Sequence, residues 1–513
     1  MICTDPVLTQ VDVVIYAVEI NDRHGVGILV QRIFPDSKNI ISIRAIDIYD
    51  GDHTFGGVAM QISHRDLDRA AGVAKVKQAL AGYQIDRVLC IPYHSHEVLT
   101  ALAIHELFGS SICTYVMDDR NVLIHDIPDD LMTELLSKSN LCLGISPEMC
   151  DVYLAKYGVE MYFAPPVLPP ELINPEIPQL SPNILQAQTG AMIGNVWSPT
   201  WLKLLRQTTK AAGINIDWYG NTGAEWNICD RTRLQIDGIT EKGFLPTESE
   251  VSQVLREHPY VIIASGKLDE HDDNSPNSWL SLPSRIPFIV ASSNTPIIFI
   301  GNQNTAAARF IQRLGIGIIC DYDVDSLRQA VDYITQPHIQ QEFRVRSAKL
   351  APLFENRLTD EWIWKSLTLG KPIDGRFDRL VPKQLDYISA LAQSFTTIRG
   401  YRQLTAELSQ CQQQNQALTA ELSQYQQQNQ ALTAELSQYQ QQNQALTAEL
   451  SQYQLQHQQL QQKYNLFEQD LPQDLPHQLE QAYNLVEWME SSKFWKLRSK
   501  WLKVKSLWRS KLN

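Results

Sequence analysis

The stretch Ser281–Gly317 constrains the fold most tightly, because apolar runs alternate in it with turn-forming and helical segments. An apolar run at 286–291 leads through a short polar turn to the β-rich tetrad 297–300, and a helical pattern follows at 305–314 before the next buried strand. This alternation is typical of a parallel α/β sheet. In open sheets of this type, ligands bind beyond the carboxyl ends of the strands, where loops meet helix N-termini.

The same alternation extends over about the first 370 residues. Buried strands are predicted at 11–19, 39–46, 86–91, 111–116, 141–145 and 160–163, and again at 191–194, 215–219, 260–264, 296–300 and 315–320. Between the two groups, seven prolines within residues 164–189 indicate a linker, because proline lacks an amide donor and fixes its own φ. The predicted fold class is α/β, with two Rossmann-like doubly wound domains at 1–170 and 190–375 and a proline-rich linker at 171–189.

The bulk composition is that of a globular protein. At 513 residues the chain is too long for one ordinary core, and its net charge of −13 argues against a general nucleic-acid binder. The eight cysteines show no CxxC pair and no regular spacing, so neither a disulfide framework nor a zinc site is predicted. The N-terminus lacks a signal-peptide pattern, and no stretch approaches the ~20 apolar residues that span a bilayer. We therefore expect a cytoplasmic protein.

Loops predicted at the carboxyl edges of the sheets supply the candidate contacts to an anionic ligand. These candidates are Gly25, Gly27, Asn195, Lys267, Ser284, Arg285, Asn304 and Thr305. The two glycines would let backbone approach the ligand at a helix start. Arg285 and Lys267 are the candidates for contact with a diphosphate, and the alternative for each is a surface salt bridge.

Two further loops carry candidates for proton transfer. His94 and His96 lie between a strand and a helix, and Asp118 and Asp119 end the next strand. One of these side chains could orient an acceptor hydroxyl or act as its base. The alternative is that they only cap helices. The spacing of the two histidines also suggests metal hydrolases, but no matching set of ligands follows, and we expect no metal.

Several of these segments resemble a known family. The sequence LPSRIP at 282–287, followed by TPII at 295–298, resembles the nucleotide-sugar side of GT-B glycosyltransferases of the family 4 type, whose pattern reads roughly lPsKipEylasGkPvi. The loop with Gly25 and Gly27 resembles the family's hGvG loop. The resemblance covers about residues 11–370. It implies transfer of a sugar, with retention, from a nucleotide-diphosphate donor to a glycan or lipid-linked acceptor of the polysaccharide or cell-envelope type. It also implies that the last helices, at 337–369, cross back onto the first domain.

The chain departs from the family pattern at two positions. Phe288 or Ile289 stands where the family has the glutamate that typically holds the ribose of the donor. The sequence IGNVW at 193–197 offers no cation where the family has a basic pair. An alternative function is therefore a catalytically degenerate GT-B scaffold that acts as a coiled-coil-dimerised binding protein.

Residues 376–469 carry a repeat predicted to form a coiled coil. The sequence LTAELSQ(C/Y)QQQNQA recurs every fourteen residues, which is two heptads. The a positions carry Leu408, Asn415, Leu422, Asn429, Leu436, Asn443 and Leu450, and the other core position carries Leu404, Cys411, Leu418, Tyr425, Leu432, Tyr439, Leu446 and Tyr453. Asparagine at alternate a positions favours a parallel dimer in fixed register. We expect a parallel homodimer through 401–464; the alternative is a flexible Gln-rich spacer.

Residues 470–513 are predicted to form a proline-containing break and a basic amphipathic C-terminal helix. Phe494, Leu497, Trp501, Val504 and Trp508 share one helical face, and lysines and arginines surround it. Such a helix suits an anionic membrane interface, so residues 488–513 could place the protein peripherally on a membrane. The alternative is that this helix packs on its dimer mate or on the catalytic unit.

Overall fold

The computed structural model describes most of the chain. The described residues are 9–65, 68–176, 180–182, 184, 187–220, 231–381, 387–469, 475–491, 497, 498, 500–503 and 505. The chain divides into two compact units, residues 1–396 and 397–513. The first unit contains both α/β sheets, and the second contains helices.

The first sheet has seven parallel strands in the order β3-β2-β1-β4-β5-β6-β7. They are β1 Thr9–Tyr16, β2 Ile40–Arg44, β3 Val58–Gln61, β4 Tyr83–Cys90, β5 Ser111–Val116, β6 Ser139–Gly144 and β7 Tyr162–Phe163. The helices between them are α1 Gly25–Ile33, α2 Arg69–Ala79, α3 Ser95–Phe108, α4 Asp129–Lys138 and α5 Pro147–Tyr157. The strand order reverses between β1 and β4, which places a crevice between the loops that follow these two strands.

The second sheet repeats this arrangement with six parallel strands in the order β10-β9-β8-β11-β12-β13. They are β8 Gly190–Ile193, β9 Ile216–Tyr219, β10 Ile239–Gly243, β11 Val261–Ala264, β12 Ile297–Ile300 and β13 Gly317–Cys320. Its helices are α6 Pro199–Ala212, α7 Arg231–Ile236, α8 Glu248–Arg256, α9 Ser275–Leu280, α10 Arg285–Phe288, α11 Ala306–Leu314 and α12 Val324–Ile334. Here the order reverses between β8 and β11. The predicted pair of doubly wound α/β sheets is confirmed.

Burial on both faces explains why the central strands read as continuous apolar runs. All four residues of β12 are 0% exposed, as expected for a parallel strand covered by helices on both sides. The helix ends follow ordinary capping rules. In α5, Ser146 accepts a hydrogen bond from the amide of Met149, Pro147 occupies the first turn, and Gly158 ends the helix in the left-handed conformation.

The α/β region has two halves, the first built on the first sheet and the second on the second sheet. These halves contact each other through polar groups. Arg313 of α11 forms an ion pair of 2.9 Å with Glu148 of α5, whose carboxylate is almost fully buried. The hydroxyl of Ser146 donates to the carbonyl oxygen of Leu280. These contacts join the carboxyl-edge loops and adjoining helices of one sheet to those of the other.

Of the helices at 337–369 that the resemblance places on the first domain, the later one contacts the first sheet. Helices α13 Pro337–Leu350 and α14 Thr359–Leu369 follow α12, and short 3₁₀ turns occupy Pro170–Leu172, Ala351–Phe354 and Asp378–Leu380. The indole of Trp364 in α14 packs against Phe34, with ring centroids 5.3 Å apart. The guanidinium of Arg87 in β4 lies over the same indole, at 4.7 Å.

The repeat region is helical throughout its described length. Helix α15 spans Tyr387–Gln469 and α16 spans Leu475–Ser491. The core-position side chains of Leu418, Tyr425 and Leu432 are about three-fifths exposed in the single chain. In the part of the chain that the structure describes, no helix combines the length and apolarity that crossing a membrane requires. Phe494, Val504 and Trp508 of the predicted C-terminal face lie outside the described residues.

Candidate functional site

The loop after β1 is built around His24. The His24 ring stacks between those of Tyr16 and Tyr49, at 5.4 Å from each. Its Nδ1 accepts a hydrogen bond from the amide of Gly27, and its Nε2 lies 2.8 Å from the carbonyl oxygen of Glu19. A Cβ on Gly27 would lie 2.2 Å from the carbonyl oxygen of Asn21, so only glycine fits this helix start. Gly27 therefore has a packing role as well as its predicted place in the loop.

Glu19 fixes the position of this loop, and Gly25 brings it close to the second half. The Glu19 carboxylate accepts hydrogen bonds from the amides of Ile48, Tyr49 and Gly51. Burial alone would raise the pKa of Glu19, but these backbone donors hold it below its ordinary value. A Cβ on Gly25 would lie 3.4 Å from the Ser284 hydroxyl of the second half. Two predicted donor-side residues, Gly25 and Ser284, are thus brought together.

His94 is the N-cap of α3 and forms a capping box with Glu97, as the helix-capping alternative expects. One Glu97 oxygen accepts hydrogen bonds from the amides of Tyr93, at 3.1 Å, and of His94. The other oxygen, Oε1, is buried and has no hydrogen-bond partner among the described residues. Burial raises the pKa of Glu97 to about 7, and burial and then the Arg120 charge lower the pKa of His94. The lowered pKa favours the neutral imidazole, which is the form that can act as a base.

His96 faces a different neighbour from His94. Its Nδ1 accepts a hydrogen bond of 3.1 Å from the amide of His64, and the two rings stack at 6.4 Å. The His64 ring also contacts the hydroxyl of Thr100, at 2.9 Å. Burial lowers the pKa of both imidazoles, and that of His64 falls to about 4. His96 thus belongs to a histidine pair next to the loop after β3.

Asp118 lies where the two α/β halves meet. Its Oδ1 accepts a hydrogen bond of 2.8 Å from the Ser281 hydroxyl, and its Oδ2 accepts one from the phenol of Tyr93. Burial raises the pKa of Asp118. The Arg120 guanidinium lies over the Tyr93 ring, at 5.2 Å. Asp118 and the loop of His94 therefore form one network, joined by Tyr93, that reaches the second half through Ser281.

The structure does not bring Asp119 to this network. Its side chain is 0% exposed, and its carboxylate accepts hydrogen bonds from the amides of Asn121, Val122 and Leu123. The Tyr153 hydroxyl donates to it as well. Asp119 therefore shapes its own loop and does not cap the helix that follows, which begins at Asp129.

Arg285 is a cation without a carboxylate partner among the described residues. Its Nη1 donates a hydrogen bond of 3.1 Å to the carbonyl oxygen of Ile193, the last residue of β8. Within the described residues no ion pair forms at its guanidinium, and burial lowers its pKa to about 10, so it remains charged at neutral pH. Nη1 lies 3.8 Å from where a Cβ on Gly194 would be. The guanidinium thus lies at the carboxyl edge of the second sheet.

The other predicted donor-side residues differ in their surroundings. Lys267 forms an exposed ion pair with Asp269, at 3.2 Å, so for this residue the salt-bridge alternative is found. Asn195 directly follows Gly194, and its Oδ1 is buried without a hydrogen-bond partner among the described residues. Thr305 caps α11 by accepting from the amide of Ala308. The side-chain oxygen of Asn304 accepts a hydrogen bond of 3.4 Å from Arg309.

Phe288, at the position of the family glutamate, is a core residue. Its side chain is 6% exposed, and the neighbouring Ile289 is 0% exposed. The hydroxyl of Ser292 donates to the carbonyl oxygen of Phe288, at 2.7 Å. Neither Phe288 nor Ile289 offers a side-chain acceptor for a ribose hydroxyl.

Sequence reasoning missed three residues that shape the site. Tyr93 and Ser281 bind Asp118, and Glu97 holds the loop of His94. Glu97 was accessible to prediction, because a glutamate three residues after a helix cap is the signature of a capping box. Among the residues described, no group of three or more His, Cys, Asp or Glu side chains is arranged to hold a metal ion.

Glu97→Gln is expected to remove a pH dependence of stability. The pKa of Glu97 is about 7 in the folded chain and 4.5 by default in an unfolded one, so the folded state holds the extra proton between these values. The contribution of Glu97 is thus complete below pH 4.5 and is lost as the pH rises through about 7. Urea unfolding at several pH values should show the wild type losing stability relative to the variant. A difference that is constant with pH would contradict the raised pKa.

Comparisons with known proteins identify the architecture. No protein-family model matches this sequence, and no curated protein sequence matches it. Among solved structures, 70% of the chain aligns with 100% of Anabaena Alr3699/HepE in complex with UDP, at 11% identity and a TM-score of 0.51. It also aligns with 99% of WaaG, a glycosyltransferase involved in lipopolysaccharide biosynthesis, at 10% identity and a TM-score of 0.46, again over 70% of the chain.

At this level of identity, the likeness to HepE concerns the fold. It agrees with two parallel sheets that are flanked by helices. The carboxyl-edge loops of the two sheets contact each other through Asp118 and Ser281. The two α/β sheets of this chain therefore have the GT-B fold of glycosyltransferases.

Proposed function

We propose that the chain is a glycosyltransferase that moves a sugar from a nucleotide-diphosphate donor to a glycan or lipid-linked acceptor. The observation that carries the proposal is Arg285, a cation at the carboxyl edge of the second sheet with no ion pair among the described residues. A partly buried charge without an ion-pair partner costs free energy, and an anionic ligand would reduce that cost. The GT-B fold supports a nucleotide donor, as does the UDP bound to HepE in its crystal structure.

The proposed reaction gives each α/β half a role: the second half binds the donor and the first half orients the acceptor. The acceptor oxygen bonds to C1 of the sugar, the bond from C1 to the diphosphate oxygen breaks, and the diphosphate leaves with the electron pair. Arg285 would stabilise the charge that develops on the diphosphate. His94 and Asp118 are the candidates that orient the acceptor hydroxyl or take up its proton. We expect retention at C1, as the resemblance implies, and anomeric analysis of the product by NMR tests it.

A second candidate function is a GT-B scaffold that binds without turnover. The buried Phe288 favours it, because the position offers no carboxylate to a ribose. The loop at 193–197 also supplies no cation beside Arg285. The two functions differ in one observable property: both bind a nucleotide or glycan, but only the enzyme releases a nucleoside diphosphate when donor and acceptor are mixed.

Arg285→Ala is expected to weaken nucleotide binding by about 10- to 100-fold, because it removes charge-assisted hydrogen bonds to the diphosphate. Calorimetric titration of the whole chain with UDP, GDP, ADP and their sugar conjugates measures this and names the base. Lys267→Ala is the matched control, since Lys267 is exposed and paired with Asp269.

Two results would count against the proposal. Unchanged affinity in Arg285→Ala would remove this residue from the donor site. Failure of the wild type to bind any of these nucleotides would favour the scaffold.

We further propose that two chains associate through the repeat helix as a parallel dimer. The apolar core positions of α15 are exposed in the single chain, among them Leu418, Tyr425 and Leu432. Burial of this stripe against an identical helix would remove it from water, and asparagines paired at the a positions would fix the register. No lysine or arginine occurs between Arg402 and Lys463, so pairing between two identical helices does not depend on opposite charges.

Cys411 provides a test of register. It is the only cysteine in the repeats and occupies a core position, so in a parallel, in-register dimer it faces its own copy. Mild oxidation is expected to produce a covalent dimer in the wild type and none in Cys411→Ser, measured on non-reducing gels. Sedimentation of the reduced protein as a monomer would contradict the proposal.

We propose that the C-terminal segment 488–513 contacts anionic membranes. Of its predicted apolar face, Leu497 and Trp501 are described, and they are 38% and 47% exposed. The surrounding lysines and arginines would attract anionic lipid headgroups.

Deletion of 488–513 is expected to abolish sedimentation with vesicles that contain phosphatidylserine. The full chain should sediment at low salt and less at high salt, because screening weakens the attraction. If the full-length chain never sediments with these vesicles, the membrane proposal is wrong.

A further inference from the structure

The loop after β8 contains an acceptor atom with no donor among the described residues. This atom is the Oδ1 of Asn195, which is buried. The loop around it is well fixed. The carbonyl oxygen of Gly194 accepts a hydrogen bond of 2.7 Å from the Trp218 indole, and Gly194 has a φ of 71°, which favours glycine.

An unpaired buried carbonyl oxygen costs stability, because it has given up its hydrogen bonds to water. An unsatisfied polar atom in a folded protein therefore calls for an explanation, and a functional role is one of the few available. In a binding site, the ligand supplies the missing group. A hydroxyl group of a sugar is a donor of this kind.

The position of Asn195 points to the ligand. It directly follows Gly194, and Arg285 Nη1 lies 3.8 Å from where a Cβ on Gly194 would be. Consecutive Cα atoms are about 3.8 Å apart, so the backbone of Asn195 passes close to the Arg285 guanidinium. A ligand that satisfies both needs a negative charge and a hydroxyl a few bonds apart, as in a nucleoside diphosphate or its sugar conjugate.

We propose that Asn195 is a specificity-determining residue that accepts a hydrogen bond from a hydroxyl of the donor, on either the ribose or the transferred sugar. The inference rests on the proposed function. Asn195 would accept the hydroxyl hydrogen bond that the apolar side chains of Phe288 and Ile289 cannot accept. Asn195 and Arg285 together would require a ligand that is both a polyol and an anion.

Asn195→Leu tests this assignment, because leucine has a similar size and no polar atoms. The variant is expected to unfold at the same temperature as the wild type or higher, since a buried unpaired oxygen is removed. Its affinity for UDP or a UDP-sugar should fall by about 5- to 30-fold. Its affinity for inorganic pyrophosphate, which lacks hydroxyls, should not change. Asn195→Ala serves as the second variant if leucine does not fold.

Changing the ligand shows whether the ribose or the transferred sugar supplies the hydroxyl. If the ribose supplies the hydroxyl, 2′,3′-dideoxy-UDP binds the wild type as weakly as it binds the variant. If the transferred sugar supplies it, the loss in the variant appears with UDP-glucose and not with UDP.

The inference is overturned if the variant binds every ligand as the wild type does, or if it loses pyrophosphate equally. These outcomes are distinct from failure of the proposed function, in which the wild type binds no nucleotide at all.

Discussion

Parallel pairing of strands is the constraint on which the rest of this molecule depends. It brings the carboxyl ends of all strands in a sheet to one edge, so that loops far apart in sequence become neighbours. In this chain it assembles the loop of Gly25, the loop of His94 and Asp118 on one sheet, and Asn195 and Arg285 on the other. The hydrogen bond between Ser281 and Asp118 then joins the two edges. The candidate site is a consequence of that topology.

Electrostatics separates the residues of the candidate site into two classes. Some charged side chains at the edges are satisfied within the protein, as Asp119 is by backbone amides and Lys267 by Asp269. The charge of Arg285 and the Oδ1 of Asn195 are not satisfied among the described residues. Arg285 requires an anion and Asn195 requires a hydrogen-bond donor. A ligand that satisfies both would carry a negative charge and a hydroxyl group. Such needs reduce stability and are retained where binding depends on them.

The sequence predicted the architecture because its central strands are strongly patterned, as in the fully buried run Ile297–Ile300. It missed β3 and β10, which are short edge strands whose residues are partly exposed and carry no continuous apolar run. The candidate loops were predictable from strand ends, but side-chain direction was not. Asp119 turns into its own loop while Asp118 turns toward the second half, and nothing in their shared sequence surroundings distinguishes them. The partner of Asp118 lies 163 residues away, and that contact depends on how the two sheets meet.

The central claim is that the loops around Arg285 hold the diphosphate of a nucleotide donor. A crystal structure of the full chain grown with UDP tests it most directly. The account predicts diphosphate oxygens within hydrogen-bond distance of the Arg285 guanidinium, at the carboxyl edge of the second sheet. It also predicts that either the ribose lies next to Asn195, or the β-phosphate is oriented so that a sugar attached to it would contact Asn195. UDP bound elsewhere, or bound with its diphosphate away from Arg285, would contradict the claim.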